Sequence, residues 1–240
     1  MIRLLRGETL QLATIRTYWM LAAGAVALIA AGTSATAATS LASGTSPART
    51  TLAIAGLAQT VALLAGALSV TGEFRHKTIT PAVLITPRRT PLLVAKLIAM
   101  AATGLATAIT LPLLAARHIP AGLSGTQAAA IIAGGGAATA LAAALGIGIG
   151  AIIRNQVGAI VTVLALLYVA EPLLGFIPHA GTAVQKYGLD GLAAAATHTV
   201  GFPATAQLLG QGPAIVVLAA YAGAVLSVGA AVLRHRDIIA

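Results

Sequence analysis

The chain has 240 residues, 58% of them hydrophobic and only 8% charged, with a mean hydropathy of +0.96. A soluble domain carries roughly 25% charged residues, so this composition excludes an ordinary globular protein and describes an all-α integral membrane protein. The absence of cysteine excludes a disulfide framework and a thiolate metal site, and the meaning of the +9 net charge depends on where the basic residues fall.

Residues 1–17 read as an amphipathic helix lying at the membrane interface. Leu5, Leu12, Ile15 and Trp19 share one helical face, with Glu8 in the same stripe, and an interfacial tryptophan suits that position. A membrane-crossing helix needs about 20 mostly apolar residues. Six stretches qualify, near 18–38, 52–71, 91–116, 127–152, 156–177 and 213–233. Assigning their flanks to alternate sides places eleven Lys and Arg on one side, against Arg49, Arg117 and Lys186 on the other. Basic residues mark the cytoplasmic side, which predicts cytoplasmic termini. The basic excess then reflects topology and attraction to anionic headgroups, and no aromatic platform or recognition module points to nucleic acid. Two alternatives stay open. Small residues at Ser34–Ala38 also suit signal-peptide cleavage of the first span, and 189–209 also reads as a seventh span, although Asp190, His198, Gly201 and Pro203 interrupt it.

The segment Gly72–Pro91, GEFRHKTITPAVLITPRRTP, crowds charge between two apolar runs. Thr80-Pro81 and Thr90-Pro91 each place a hydroxyl N-cap before a proline suited to the first helical turn. They predict a short helix near 81–85 and a span starting at Pro91. The second span carries Gln59 as its main amide. Span four holds Gly134, Gly135 and Gly136, then Gly146, Gly148 and Gly150. The GxxxG pair Gly146 and Gly150 lets helix backbones approach closely, more simply within one subunit than across a dimer seam. It is no phosphate loop, because no strand precedes it.

Glu171 is the one carboxylate inside a predicted span, and intramembrane acids are functional candidates by default. It lies 17 residues beyond Arg154, or about 25 Å at the helical rise, most of the way across a core of roughly 30 Å. That depth suits an outer gate or a helix cap better than proton transfer. Pro172, Gly175 and Pro178 predict that the helix breaks here and that 178–213 forms a re-entrant extracellular segment before the last span. His179 and His198 in this region lack metal-ligand spacing.

The run from Glu8 through Thr14 and Arg16 to Trp19 resembles the opening of ABC-2 type permeases, the membrane subunits of ABC exporters, with Gln11 where that family has a Lys. Glu73-Phe74-Arg75-His76-Lys77-Thr78, followed by Thr86-Pro87-Arg88-Arg89 and Ala95-Lys96-Leu97, is similar to the family's loop between spans two and three. Gly150 to Ala159, with Arg154-Asn155-Gln156 inside it, resembles the turn between spans four and five. The resemblance implies one transmembrane domain over 1–240, with a cytoplasmic coupling helix in 72–91 and a re-entrant element between the last two spans. Glu73, Arg75, Thr78, Pro81, Pro87, Arg88 and Arg89 would line the contact with a nucleotide-binding ATPase subunit. It also implies a second permease subunit, as homodimer or heterodimer, and location in a bacterial plasma membrane, which Ala-rich, Lys-poor usage typical of GC-rich genomes fits.

No GxxxxGK[ST] motif occurs, so ATP and Mg would be bound by the partner and this chain holds no cofactor. Nothing resembles a nucleophile, an acid–base pair or a metal cluster, which argues against an enzyme. The expected function is export of a hydrophobic or amphipathic substrate. Glu171 and Pro172 are the expected extracellular gate, and an ion-coupled carrier using Glu171 or a non-transporting membrane scaffold are the alternatives. Inverted repeats would favour the carrier, and no convincing one is visible.

Overall fold

A computed structural model of the protein describes residues 55–75, 125–178, 180–197 and 208–235. Every regular element among them is helical: α1 (Ala55–Arg75), α2 (Gly125–Ile153), α3 (Gln156–Ala165), a π-helical turn (Leu166–Ala170), α4 (Glu171–Gly175), α5 (Ala180–Tyr187), α6 (Leu189–Ala196) and α7 (Gln211–His235). The expected interfacial helix, the first and third spans, and Thr78, Pro81, Pro87, Arg88 and Arg89 lie outside the described residues.

Three helices are long and apolar enough to cross a membrane: Ala133–Ile153 within α2, the continuous run Gln156–Gly175, and Gln211–Leu233 within α7. These coincide with three of the stretches chosen on hydropathy. Helix α1 has 21 residues, about 31 Å at the helical rise, and closes on the charged pair Glu73 and Arg75.

Helix α2 is the centre of the bundle, packed against α1 on one side and α7 on the other. Its small residues explain why. A Cβ built on Gly146 would lie 1.9 Å from the Leu63 carbonyl oxygen, one on Gly150 2.5 Å from that of Ala67, and one on Gly66 2.1 Å from that of Ala143. The GxxxG pair therefore seats α2 directly on the backbone of α1, within the chain. Gly148 and Gly229 serve the α2–α7 seam, where a Cβ on Gly148 would meet Val225 backbone at 2.8 Å. Matching positions rise together along both seams, so α1, α2 and α7 run parallel. The run α3–α4 returns antiparallel.

Between the seams the core is filled by Leu63, Ala138, Ala142, Leu145, Val163, Leu192, Ala214 and Leu218, and nearer the end of α2 by Val70, Ala143, Ile147, Ala151 and Leu233. The outward faces are apolar as well. Val157, Val161, Tyr168 and Leu173 on α3–α4, and Val216 and Val228 on α7, are all exposed. Apolar rows inside and out are what a lipid-embedded bundle requires, since lipid gives no reason to hide large side chains. Hydroxyls in the buried stretches bond back to their own helices, as in Ser69 Oγ to the Gly66 carbonyl (2.7 Å) and Thr139 Oγ1 to that of Gly135 (2.7 Å).

The break expected from Pro172, Gly175 and Pro178 falls after Gly175 and not at Pro172. The helix runs on to Gly175, and a π-turn takes the strain: the Glu171 amide donates to the Leu166 carbonyl, five residues back. A proline ring clashes with the carbonyl four residues earlier in an α-helix, and widening the turn to five residues relieves that contact without ending the helix. The chain turns only at 176–178. Helices α5 and α6, eight residues each, span about 12 Å apiece, so the described part of 189–209 is too short to cross. Instead α6 tucks Gly191 to Ala196 into the bundle, burying all six.

The glycine seams give a paired test. Gly146→Ala is expected to lower stability by about 1 to 3 kcal/mol, the usual range for overpacking. Gly223→Ala, whose Cβ would meet nothing within 4 Å, is expected to be neutral or stabilising by up to about 1 kcal/mol through helix propensity. Thermal melts of the two purified variants in the same detergent distinguish them.

Candidate functional site

Polar chemistry concentrates at the two ends of the bundle. At one end, α2 passes into α3 through two residues, Arg154 and Asn155. Arg154 has φ 59°, the one positive φ at a non-glycine among the described residues, and its amide donates to the Gly150 carbonyl at 2.9 Å. A left-handed residue at this point is the common way to stop a helix, and an arginine there carries strain of order 1 kcal/mol that its surroundings offset. Asn155 then caps α3: its Oδ1 accepts from the amides of Val157 (2.9 Å) and Gly158 (3.2 Å).

The Arg154 side chain ties three helices. Its Nη2 donates to the Val232 carbonyl on α7 at 2.9 Å, and its guanidinium carbon lies 5.5 Å from the ring centroid of Phe74 on α1, within cation–π reach. Beside it, Arg75 Nη1 donates to Gln156 Oε1 at 2.9 Å. Of the expected docking residues that are described, Arg75 is exposed, whereas Glu73 is buried in the bundle with 7% of its surface accessible.

At the other end, Glu171 reaches across to the start of α6. The N-cap of α6 is Gly188, with extended backbone (φ −66°, ψ 162°) and no side chain to offer. Glu171 replaces it from another helix: Oε1 accepts from the Leu189 amide at 2.6 Å and Oε2 from the Asp190 amide at 3.1 Å. A helix start leaves its first amides unsatisfied, and the carboxylate both pairs them and complements the positive end of the helix dipole. Gly188 permits the approach, because a Cβ there would lie 3.2 Å from the Glu171 carboxylate and 2.5 Å from the Val184 carbonyl oxygen. Pro172, the other expected gate residue, is exposed. Its part is indirect, since the π-turn it imposes sets the direction in which Glu171 points.

Gln211 secures the far end of α6. Its Nε2 donates to the Ala196 carbonyl, the close of α6, at 2.9 Å and to the Ala130 carbonyl of α2 at 2.7 Å. Gly134 makes room, since a Cβ there would lie 2.1 Å from that amide nitrogen. The short helix is thus pinned at both ends by side chains from different helices. Asp190 is exposed at its outer edge, and partial desolvation pushes its carboxyl above the usual carboxylate range. Arg154 and Gln211 had no separate role on sequence alone. Their partners lie 78 and 81 residues away in the chain, too far for any local spacing to reveal.

Among the described residues no three His, Cys, Asp or Glu side chains gather to hold a metal. No protein-family model matches the chain, and no curated protein matches it.

Replacing Glu171 separates a cap from a charge. Glu171→Ala strands two α6 amides and is expected to cost about 1 to 3 kcal/mol. Glu171→Gln retains one acceptor and is expected to lose roughly half as much. Gly188→Ala, which pushes the carboxylate away, is expected to resemble the alanine variant. Hydrogen exchange at the Leu189 and Asp190 amides checks all three, and exchange unchanged in Glu171→Ala would contradict the cap.

Proposed function

We propose that the chain is the membrane subunit of an ATP-driven exporter of the ABC-2 permease type, moving a hydrophobic or amphipathic substrate while a separate subunit hydrolyses ATP. The observation that carries this reading is spatial. Two of the stretches that resemble that family, Glu73-Phe74-Arg75 and Arg154-Asn155-Gln156, lie 81 residues apart in sequence yet meet at one end of the bundle through the Arg75–Gln156 bond and the Arg154–Phe74 contact. A force delivered to the loop that follows Arg75 would act on α1, α3 and α7 together through these ties.

Chain direction supports the same topology. Helices α1 and α2 both end at the Arg154 end, so the chain returns to the opposite end between them, as a span over 91–116 would require. The six-span arrangement with cytoplasmic termini, the coupling helix in 72–91 and the re-entrant outer segment belong to this proposal. A carrier using Glu171 fits less well, because both carboxylate oxygens already hold the α6 amides and a carrier residue must release its partners in each cycle.

Association with the ATPase subunit tests the reading. Charge reversal at Arg75, or at Arg88 and Arg89, is expected to weaken co-purification of the ATPase by the equivalent of about 2 to 5 kcal/mol if the contact is buried, with insertion unchanged. Insertion is checked with cysteine variants: Ser46→Cys and Gln185→Cys are expected to react with an impermeant maleimide in intact cells, and Thr78→Cys to be protected. Undiminished co-purification in every charge-reversal variant, or labelling at position 78, would overturn the proposal.

A further inference from the structure

Between α1, α2, α6, α7 and the π-turn lies a cavity of about 40 Å³. Most of its wall is apolar, with Leu63, Leu145 and Leu218 among the buried side chains that line it. Three polar residues interrupt that wall: Gln59 and Thr60 from α1, and Asp190 from the start of α6. The Thr60 hydroxyl is already engaged, by Tyr168 at 3.2 Å. Gln59 differs. Only 9% of its surface is exposed, and no hydrogen bond joins its amide to another described residue, so the amide's partners must come from the cavity it borders.

Size and chemistry together identify the occupant. A cavity walled only by aliphatic side chains stays dry, whereas one with polar groups and roughly 10–15 Å³ for each molecule takes up water. The space here admits about three waters and nothing much larger. Water suits the amide in either orientation, since it donates to the carbonyl oxygen and accepts from the NH2 group. An amide left dry would forgo those bonds, which is why buried polar groups are seldom left so. Asp190 is exposed at the rim, and its backbone amide is held there by Glu171. Glu171 lies 17 residues beyond Arg154, about 25 Å along a helix that crosses a core of roughly 30 Å. The rim therefore stands close to the aqueous surface, with an acceptor at its mouth.

We propose that this cavity holds a cluster of ordered waters that carries hydrogen bonds from Asp190 at the rim to Gln59 inside the bundle, linking α6 to α1. The short helix is then secured three times, by Glu171 at its start, by Gln211 at its close and by water on its inner face.

Radiolytic footprinting tests this in the full chain, embedded in nanodiscs and exposed to a brief X-ray pulse in ¹⁸O-labelled water. Hydroxyl radicals form from water and mark the side chains beside it, so label on a buried residue reports a water in contact. Leu63, Leu145 and Leu218 are expected to take up label at least about 10-fold faster than Ile147 and Val70, which are as deeply buried but do not line the cavity. Gln59→Leu is expected to bring the three leucines down to the rate of Ile147, with the thermal melt little changed, because it removes no bond to another described residue. Ala142→Val, which fills part of the space, is expected to have the same effect on labelling and supplies the comparison should Gln59→Leu fail to fold. Leucines labelled no faster than Ile147 in the unaltered protein would show a dry cavity and overturn the proposal. Undiminished labelling in either folded variant would overturn it as well, since the radicals would then come from transient opening of the bundle and not from water held at Gln59.

Discussion

The bundle depends on backbone touching backbone. In lipid, a leucine gains little by leaving the hydrocarbon for a protein interior, so helices associate through dispersion contacts and hydrogen bonds that improve as the backbones draw together. Gly66, Gly146 and Gly150 bring α1 and α2 to that limit, and Gly148 with Gly229 does the same for α7. Alanine fills most of the remaining positions in the core. The low aromatic content follows from this choice, because large rings would hold the helices apart.

Close approach leaves few places for polar groups, and the chain moves them to the two ends. At one end Arg154 gathers α1, α2 and α7, and Arg75 with Gln156 fastens α1 to α3. At the other, Glu171 and Gln211 hold the two ends of α6 from opposite sides. Arg154, Glu171 and Gln211 each satisfy backbone groups on a different element, while Arg75 and Gln156 pair side chain to side chain. The short helix α6, too brief to be stable by itself in water or lipid, is thereby made part of the rigid core.

Much of this was visible in residues that act locally. The apolar runs near 127–152, 156–177 and 213–233 fall on α2, α3–α4 and α7, because length and hydropathy are properties of a single segment. The spacing of Gly146 and Gly150 marked a packing face for the same reason. Glu171 was legible as an acid at an unusual depth, but choosing between gate and cap needed its partner amides, 18 and 19 residues onward and reached only through the folding back of α5. Of the three residues that signalled the break, Gly175 and Pro178 mark where the helix turns, whereas Pro172 is absorbed inside it by a π-turn that leaves no sequence signature. The charged loop after Arg75 lies beyond what the structure describes, and its function stands on resemblance.

The π-turn at Leu166–Ala170 also acts as a phase shift. One additional residue in a turn rotates everything after it by about 100° relative to an uninterrupted α-helix. Val161 before the turn and Leu173 after it, which an uninterrupted α-helix would hold about 120° apart, are thereby brought to within about 20° of each other on one exposed apolar stripe. Rotation by that amount is what carries Glu171 away from the exposed stripe and toward α6. Should the turn tighten to regular α geometry, the carboxylate would swing off the α6 amides and the outer half of the helix would twist with it, a single coordinated motion stored in one residue's worth of slack.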